Sequence, residues 1–111
     1  MTSQNTERRN QFGKRLKSLR ENAKIPQRVV AGILQIDSPM LSKIERGKRK
    51  AKKSQIELFA NLFKTDAEEL YTLWLAEQLL ELIEGETFAL KALQVAEDEV
   101  QYLSKRSGSG C

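Results

Sequence analysis

The sequence contains no histidine, and its single cysteine, Cys111, stands at the last position. One cysteine cannot form an internal disulfide, and a zinc site built from cysteine and histidine is impossible. The same absences remove the common nucleophile–base pairs, and no glycine-rich phosphate loop occurs. The acidic pairs and triplets, such as Glu68-Glu69, fall on predicted helix surfaces, where solvated faces are the simpler interpretation. We therefore expect neither an enzyme nor a cofactor.

Long apolar runs are also missing, and only 2 prolines and 6 glycines interrupt the 111 residues. A membrane-spanning helix needs about 18 or more consecutive apolar residues, so none is expected. No apolar segment follows Met1, so we expect no secretory signal and a cytoplasmic location. Hydrophobic residues at 40% and charged residues at 31% suit one small helical protein.

Charge is distributed very unevenly along the chain. Residues 1–64 contain 16 Lys and Arg against 5 Asp and Glu, a net charge of +11. Residues 65–111 contain 3 against 10, a net charge of −7, and the two values sum to the +4 of the whole chain. This asymmetry indicates a polyanion-binding first part, with an ordinary solvated surface as the alternative. The cations do not line one long amphipathic helix, which disfavours a membrane-surface role.

Residues 27–45, QRVVAGILQIDSPMLSKIE, predict two short helices joined by a tight turn. One apolar face of each helix is marked by residues at helical spacing, which are Val30, Ala31 and Leu34, then Leu41 and Ile44. Asp37 can accept N–H bonds at the start of the second helix, and Pro39 suits its first turn. The second helix leads into a cation cluster, so the pair indicates a DNA-reading helix-turn-helix.

The stretch LRENAKIPQRVVAGILQIDSPMLSKIERGKRK resembles the Cro/repressor-type helix-turn-helix, also called the xenobiotic-response-element family. The resemblance covers about residues 9–73 and is carried by Leu19-Arg20, Gln27, Val30-Ala31, Ser42-Lys43-Ile44-Glu45 and Gly47. Three positions depart from the family pattern. Gln35 replaces a turn glycine, Pro26 replaces a Ser or Thr cap, and Ala51 replaces a proline.

This resemblance implies roles for individual residues. Arg20 would form an ion pair with Glu45 and so tie the first helix to the reading helix. Gln27 would touch a backbone phosphate and support the reading helix. Residues expected to face the major groove are Ser38, Pro39, Ser42 and Lys43, of which Lys43 is the best candidate for guanine N7 and O6. Met40 is left open between covering a thymine methyl and packing inside.

Residues 46–53, RGKRKAKK, hold six cations in eight positions. A loop of this composition is expected to follow the DNA phosphate backbone through residues such as Arg46, Lys48, Arg49 and Lys50. The alternative is a flexible basic loop without fixed contacts, and a nuclear-localisation segment is a further possibility by composition.

The remaining pattern predicts an all-α protein. Helices are expected at about 6–22, 27–34, 38–46, 54–63, 66–83 and 86–103, with a capping box at 65–68 and a break at Gly85. The fifth helix is apolar on more than one face, so we expect it to be buried on two sides. With the resemblance, this gives a five-helix lambda-repressor-like DNA-binding domain at 7–75, with an extended fifth helix and an added C-terminal helix.

Residues 76–104 are predicted to be a helical dimerisation extension, and 105–111 a flexible tail of added origin. The C-terminal helix carries a short heptad-like apolar stripe. The predicted dimer interface comprises Leu79, Ile83, Phe88, Leu93, Ala96, Val100 and Leu103. The alternative is a monomer in which the last helix folds back on the fifth.

The leading function is a sequence-specific DNA-binding transcriptional regulator that acts as a homodimer on a palindromic operator. A controller of a restriction-modification operon is one subtype of this family with a similarly small chain. The alternative is an antitoxin-like or other protein-interaction module, in which the acidic helical end binds a partner protein. The sequence indicates no small-molecule ligand.

Overall fold

A computed structural model describes residues 10–109, with side chains through Lys105. Six helices and no strand occur in that range, which confirms the all-α class. The helices are α1 Gln11–Asn22, α2 Gln27–Leu34, α3 Ser38–Glu45, α4 Lys53–Phe63, α5 Ala67–Ile83 and α6 Ala89–Ser109. Two units can be distinguished, of which one ends at Leu80 and the other begins at Glu81, within the last turn of α5.

The first unit is built around one apolar core contributed by α1 to α5. Phe59 lies in its middle, with the Phe12 ring edge-on at 6.5 Å and the Phe63 ring stacked at 6.3 Å between centroids. Burying these side chains supplies most of the driving force that holds such short helices together. The buried apolar residues are Phe12, Leu16, Val30, Ala31, Leu34, Leu41, Ile44, Ala51, Ile56, Phe59, Ala60 and Leu70.

The turn between α2 and α3 forms where the sequence predicts it, and one of its residues has a strained backbone conformation. Gln35 ends α2 in the left-handed region, with φ 61° and ψ 40°, where a glycine would lie without steric penalty. Its N–H donates to the Gly32 carbonyl at 3.1 Å. Asp37 then caps α3, because its Oδ1 accepts from the Met40 N–H at 2.8 Å.

Several predicted helix boundaries differ from the structure, and those of α3 and α4 differ by one residue each. The start of α1 is at Gln11, with Asn10 in a turn, and the predicted segment 6–9 lies outside the described residues. The capping box at 65–68 is wrong, because Asp66 is the capping residue and its Oδ1 accepts from the Glu68 N–H at 3.0 Å. The sixth helix begins three residues later than expected and continues past Leu103 to Ser109.

Within the single chain, α5 is buried on one side and not on the two sides that the sequence predicts. One side packs on the core through Leu70, Tyr71, Leu73 and Trp74. Another side is open, since the exposed apolar residues of the first unit include Leu75, Leu79 and Leu80. Across residues 10–109, no helix combines the length and apolar character needed to cross a bilayer.

Candidate nucleic-acid interface

Helices α2 and α3 pack against each other and bury the apolar residues that the sequence predicts. Val30, Ala31 and Leu34 of α2 and Leu41 and Ile44 of α3 all belong to the core. Because these residues fix one side of α3, the opposite side of that helix is left to solvent.

The solvent side of α3 contains the four predicted base-contacting residues. Pro39 and Lys43 are exposed and Ser38 and Ser42 are half-buried. They form two i, i+4 pairs, so they lie along one strip about one turn long. Met40 does not join them, because it is half-buried and packs on the core. The structure therefore favours the packing role for Met40.

A buried carboxylate holds the C-terminal end of α3. Glu45 Oε2 accepts from Arg20 Nε at 2.7 Å, and Oε1 accepts from Arg20 Nη2 at 3.0 Å. The Gln27 amide donates to the same Oε1 at 3.0 Å. The side chains of Arg20 and Glu45 are only 12% and 3% exposed, so solvent screens this pair weakly.

The network joins α1, α2 and α3 through the two residues predicted to pair. The hydrogen bond to Glu45 raises the pKa of Arg20 above its usual value. The guanidinium therefore keeps its charge at every pH where the fold is stable. Gln27 supports α3 through Glu45, and its predicted phosphate contact remains a proposal.

Two residues that sequence reasoning missed bring α1 against the end of α3. The Asn10 amide donates to the Glu45 carbonyl at 2.9 Å. Gly13 is buried where α1 crosses α3, and a Cβ there would collide with the carbonyl oxygens of Ile44 and Glu45. A glycine inside a helix pattern is the only sequence signal for such a crossing.

Residues 46–52 of the cation-rich segment form the loop between α3 and α4, which we call the basic loop. Gly47 turns the chain with φ 77°, and the Lys48 N–H donates to the Lys43 carbonyl at 2.8 Å. Ala51 is inserted in the core at 1% exposure. The Lys52 N–H donates to the Gln55 side chain at 2.8 Å. These contacts hold the loop backbone at several residues. They therefore disfavour the alternative of a flexible basic loop.

The charged side chains of the basic loop remain on the surface. Its four predicted phosphate-contacting residues are all exposed, namely Arg46, Lys48, Arg49 and Lys50. Arg46 also bonds through Nε to the Ser42 carbonyl at 3.3 Å. Two residues of α5 reach this loop, because Trp74 Nε1 donates to the Ala51 carbonyl at 2.8 Å and Lys50 Nζ donates to Gln78 Oε1 at 3.3 Å. Neither α5 contact was predicted from the sequence.

The residues predicted to form a dimer interface keep large apolar surfaces open. Leu79 is 50% exposed, and the second unit exposes Phe88 at 67%, Val100 at 60% and Leu103 at 58%. Ala96 is exposed as well, whereas Ile83 and Leu93 are half-buried. No grouping of acidic, cysteine or histidine side chains suited to a metal ion occurs among the described residues.

A comparison with protein-family models supports the interpretation of this surface. A model described as a helix-turn-helix domain matches residues 11–73, more than half of the chain. No curated protein and no solved structure matches the chain in the corresponding comparisons.

Proposed function

The chain belongs to the helix-turn-helix domain family, and on that premise we propose that it is a sequence-specific transcriptional regulator of the Cro/repressor type. The proposal has α3 as the reading helix and the basic loop as its phosphate clamp. One observation carries it most directly. The exposed strip of α3 runs into the six-cation segment 46–53, while the opposite side of α3 is anchored in the core.

The two surfaces make different contributions to binding. Lys43 can reach base edges in the major groove, where each base pair presents a distinct pattern of donors and acceptors. Lys50 and its neighbours contact phosphates, which are the same for every sequence and so give affinity and orientation. The expected effects of removing one residue from each surface therefore differ in kind.

The first experiment selects binding sites from random DNA with the full-length protein and measures affinities for single-base variants of the selected site. We expect Lys43→Ala to reduce discrimination at one base pair by about 1–3 kcal/mol. Lys50→Ala serves as the matched control and should weaken binding to all variants alike. If both substitutions lower affinity uniformly, α3 is not the reading helix.

We further propose that the regulator acts as a homodimer. The support is the exposed apolar side chains of α6 and of the open face of α5, because large exposed apolar patches usually mark an interface. A second copy is the occupant that we favour, since a two-fold axis would present two reading helices about 34–36 Å apart, one turn of DNA. The net charge of −7 over residues 65–111 suits a surface that faces away from DNA.

Substitutions on two faces of α6 test this dimer. Leu93→Lys with Val100→Lys adds charge to the apolar stripe, whereas Gln94→Lys with Gln101→Lys adds the same charge to exposed positions outside it. We expect sedimentation to give a dimer for the wild type and the control, and a monomer for the stripe variant.

The same sedimentation experiment also tests the alternative function, an antitoxin-like module. A wild-type protein that stays monomeric at micromolar concentration, even on palindromic DNA, would refute the homodimer. That result, together with a fixed protein partner on co-purification, would favour the antitoxin-like module. The DNA site selected in the first experiment would test the subtype that controls a restriction-modification operon.

A further inference from the structure

We infer that Trp74 and Gln78 of α5 are positioning residues for phosphate binding, because they fix two successive residues of the basic loop. This inference rests on the proposed DNA-binding function. Neither side chain would touch DNA, and both would act through Lys50 and Ala51.

The first contact fixes the backbone of the loop. Trp74 Nε1 donates to the Ala51 carbonyl at 2.8 Å, and Ala51 itself is 1% exposed. A buried carbonyl needs a partner, and the indole nitrogen is a donor only, so the bond has one possible direction. It joins residues 23 positions apart and fixes the loop at a residue that has cations before and after it in the sequence.

The second contact fixes a side chain of the loop. Lys50 Nζ donates to Gln78 Oε1 at 3.3 Å, and the Gln78 amide donates back to the Trp74 carbonyl at 3.3 Å. An ammonium has three N–H donors, so two remain for a phosphate. The contact with Gln78 restricts the rotamers of this lysine before DNA binds. The entropy lost on binding is therefore smaller than for a free lysine.

The position of these residues in the chain indicates that the support for the basic loop comes from the part of α5 beyond the family match, which is called the extension here. The matched helix-turn-helix region ends at residue 73, and Trp74 and Gln78 follow it on the continuing α5. They are one helical turn apart, so a single face of the extension reaches back to the loop. The extension would thus support DNA binding through the basic loop, in addition to any role in dimer formation.

The test measures binding to a labelled DNA duplex of random sequence over a salt titration, using the full-length protein. Trp74→Phe keeps an aromatic ring and removes the donor, and Gln78→Met keeps the length and removes both polar groups. Matched controls are Tyr71→Phe, a half-buried aromatic on α5, and Gln94→Met, an exposed amide on α6. Thermal unfolding is recorded for all variants.

We expect each positioning variant to have a log–log salt slope shallower by about 1 per protomer, which corresponds to roughly one phosphate contact. One phosphate contact contributes about 0.9 to the log–log slope, which is roughly an eightfold change in affinity over a tenfold change in salt. If the variant and the wild type bind equally at 1 M salt, the variant should therefore bind roughly eightfold more weakly near 0.1 M. The controls should keep the wild-type slope. A role in stability alone would lower the unfolding midpoint and leave the slope unchanged.

The outcomes separate this inference from the proposed function. If the wild type shows no salt-dependent binding, the DNA-binding proposal itself fails. If the wild type binds and both positioning variants keep its slope, the positioning role is refuted and DNA binding stands. Should Trp74→Phe unfold below the assay temperature, Gln78→Met decides, because Gln78 is outside the apolar core.

Discussion

Replacing Glu45 by glutamine should expose how strongly the fold depends on one buried charge. The carboxylate accepts two bonds from Arg20 and one from Gln27, and it is 3% exposed. Glu45→Gln keeps the side chain's shape and removes its charge. It also turns one acceptor atom into a donor, which then faces a donor of Arg20 or Gln27.

The magnitude follows from burial. Removing one partner of a buried ion pair typically costs about 3–5 kcal/mol, because the other charge stays desolvated without compensation. For a domain of this size each kcal/mol lowers the unfolding midpoint by about 4–8 °C, so a fall of at least roughly 12 °C is expected. Total stabilities of about 5–15 kcal/mol make this a large fraction of the whole.

The chain offers a matched control in the bridge between Arg15 and Glu69. Its Nε–Oε2 distance is also 2.7 Å, but the two side chains are 36% and 40% exposed. Glu69→Gln should therefore cost less than about 1 kcal/mol, as exposed pairs do.

Urea and thermal unfolding, followed by circular dichroism, measure both variants. A double variant with methionine at Arg20 and Glu45 should lose less stability than Glu45→Gln, because it leaves no unpaired charge. Equal losses for Glu45→Gln and Glu69→Gln would refute the reasoning, since burial would then not determine the value of the pair.

Three further predictions concern the backbone and the charge of the first unit. Gln35→Gly should stabilise the fold by about 0.5–1 kcal/mol in urea unfolding, because relief of left-handed strain exceeds the entropy that glycine adds to the unfolded chain. Gly13→Ala should destabilise the fold by about 1–3 kcal/mol, because the added Cβ clashes with the Ile44 and Glu45 carbonyls. Gly32→Ala is its control and should stabilise the fold by about 0.5–1 kcal/mol, because the space around the added Cβ is open. If roughly six phosphates are contacted, the wild-type salt slope in fluorescence anisotropy should be about −5 per protomer, and a flat response would contradict the role assigned to the net charge of +11.

Local pattern was sufficient to predict helices α2 and α3. The bounds of α2 match the prediction, and α3 ends one residue earlier than expected. Asp37 was predictable as a cap because a cap bonds to its own helix, within three residues. The partnership of Arg20 and Glu45, 25 residues apart, came from the family resemblance, since periodicity carries no information about such a pair.

Contacts between distant segments were the part that pattern did not predict. Gly13 was not singled out from the sequence, because its role depends on the crossing of α1 over α3. The sequence gives no signal that the indole nitrogen of Trp74 bonds to Ala51 of the basic loop, because the two residues are 23 positions apart. At the start of α5, Thr65 and Asp66 are both good caps, and composition does not choose between neighbours. The extension of α6 to Ser109 fits helix cooperativity, because adding a residue to an existing helix costs less than starting one.

The composition of the proposed reading strip also limits how the protein can select its site. Lys43 is the one charged side chain among the four, and Pro39 offers apolar contact alone. The hydroxyls of Ser38 and Ser42 can donate or accept, so they discriminate weakly between bases. Strong selection by one half-site is therefore not expected from base contacts. The specificity of the proposed regulator should come largely from the spacing of two short half-sites and from the shape of the DNA that the basic loops follow.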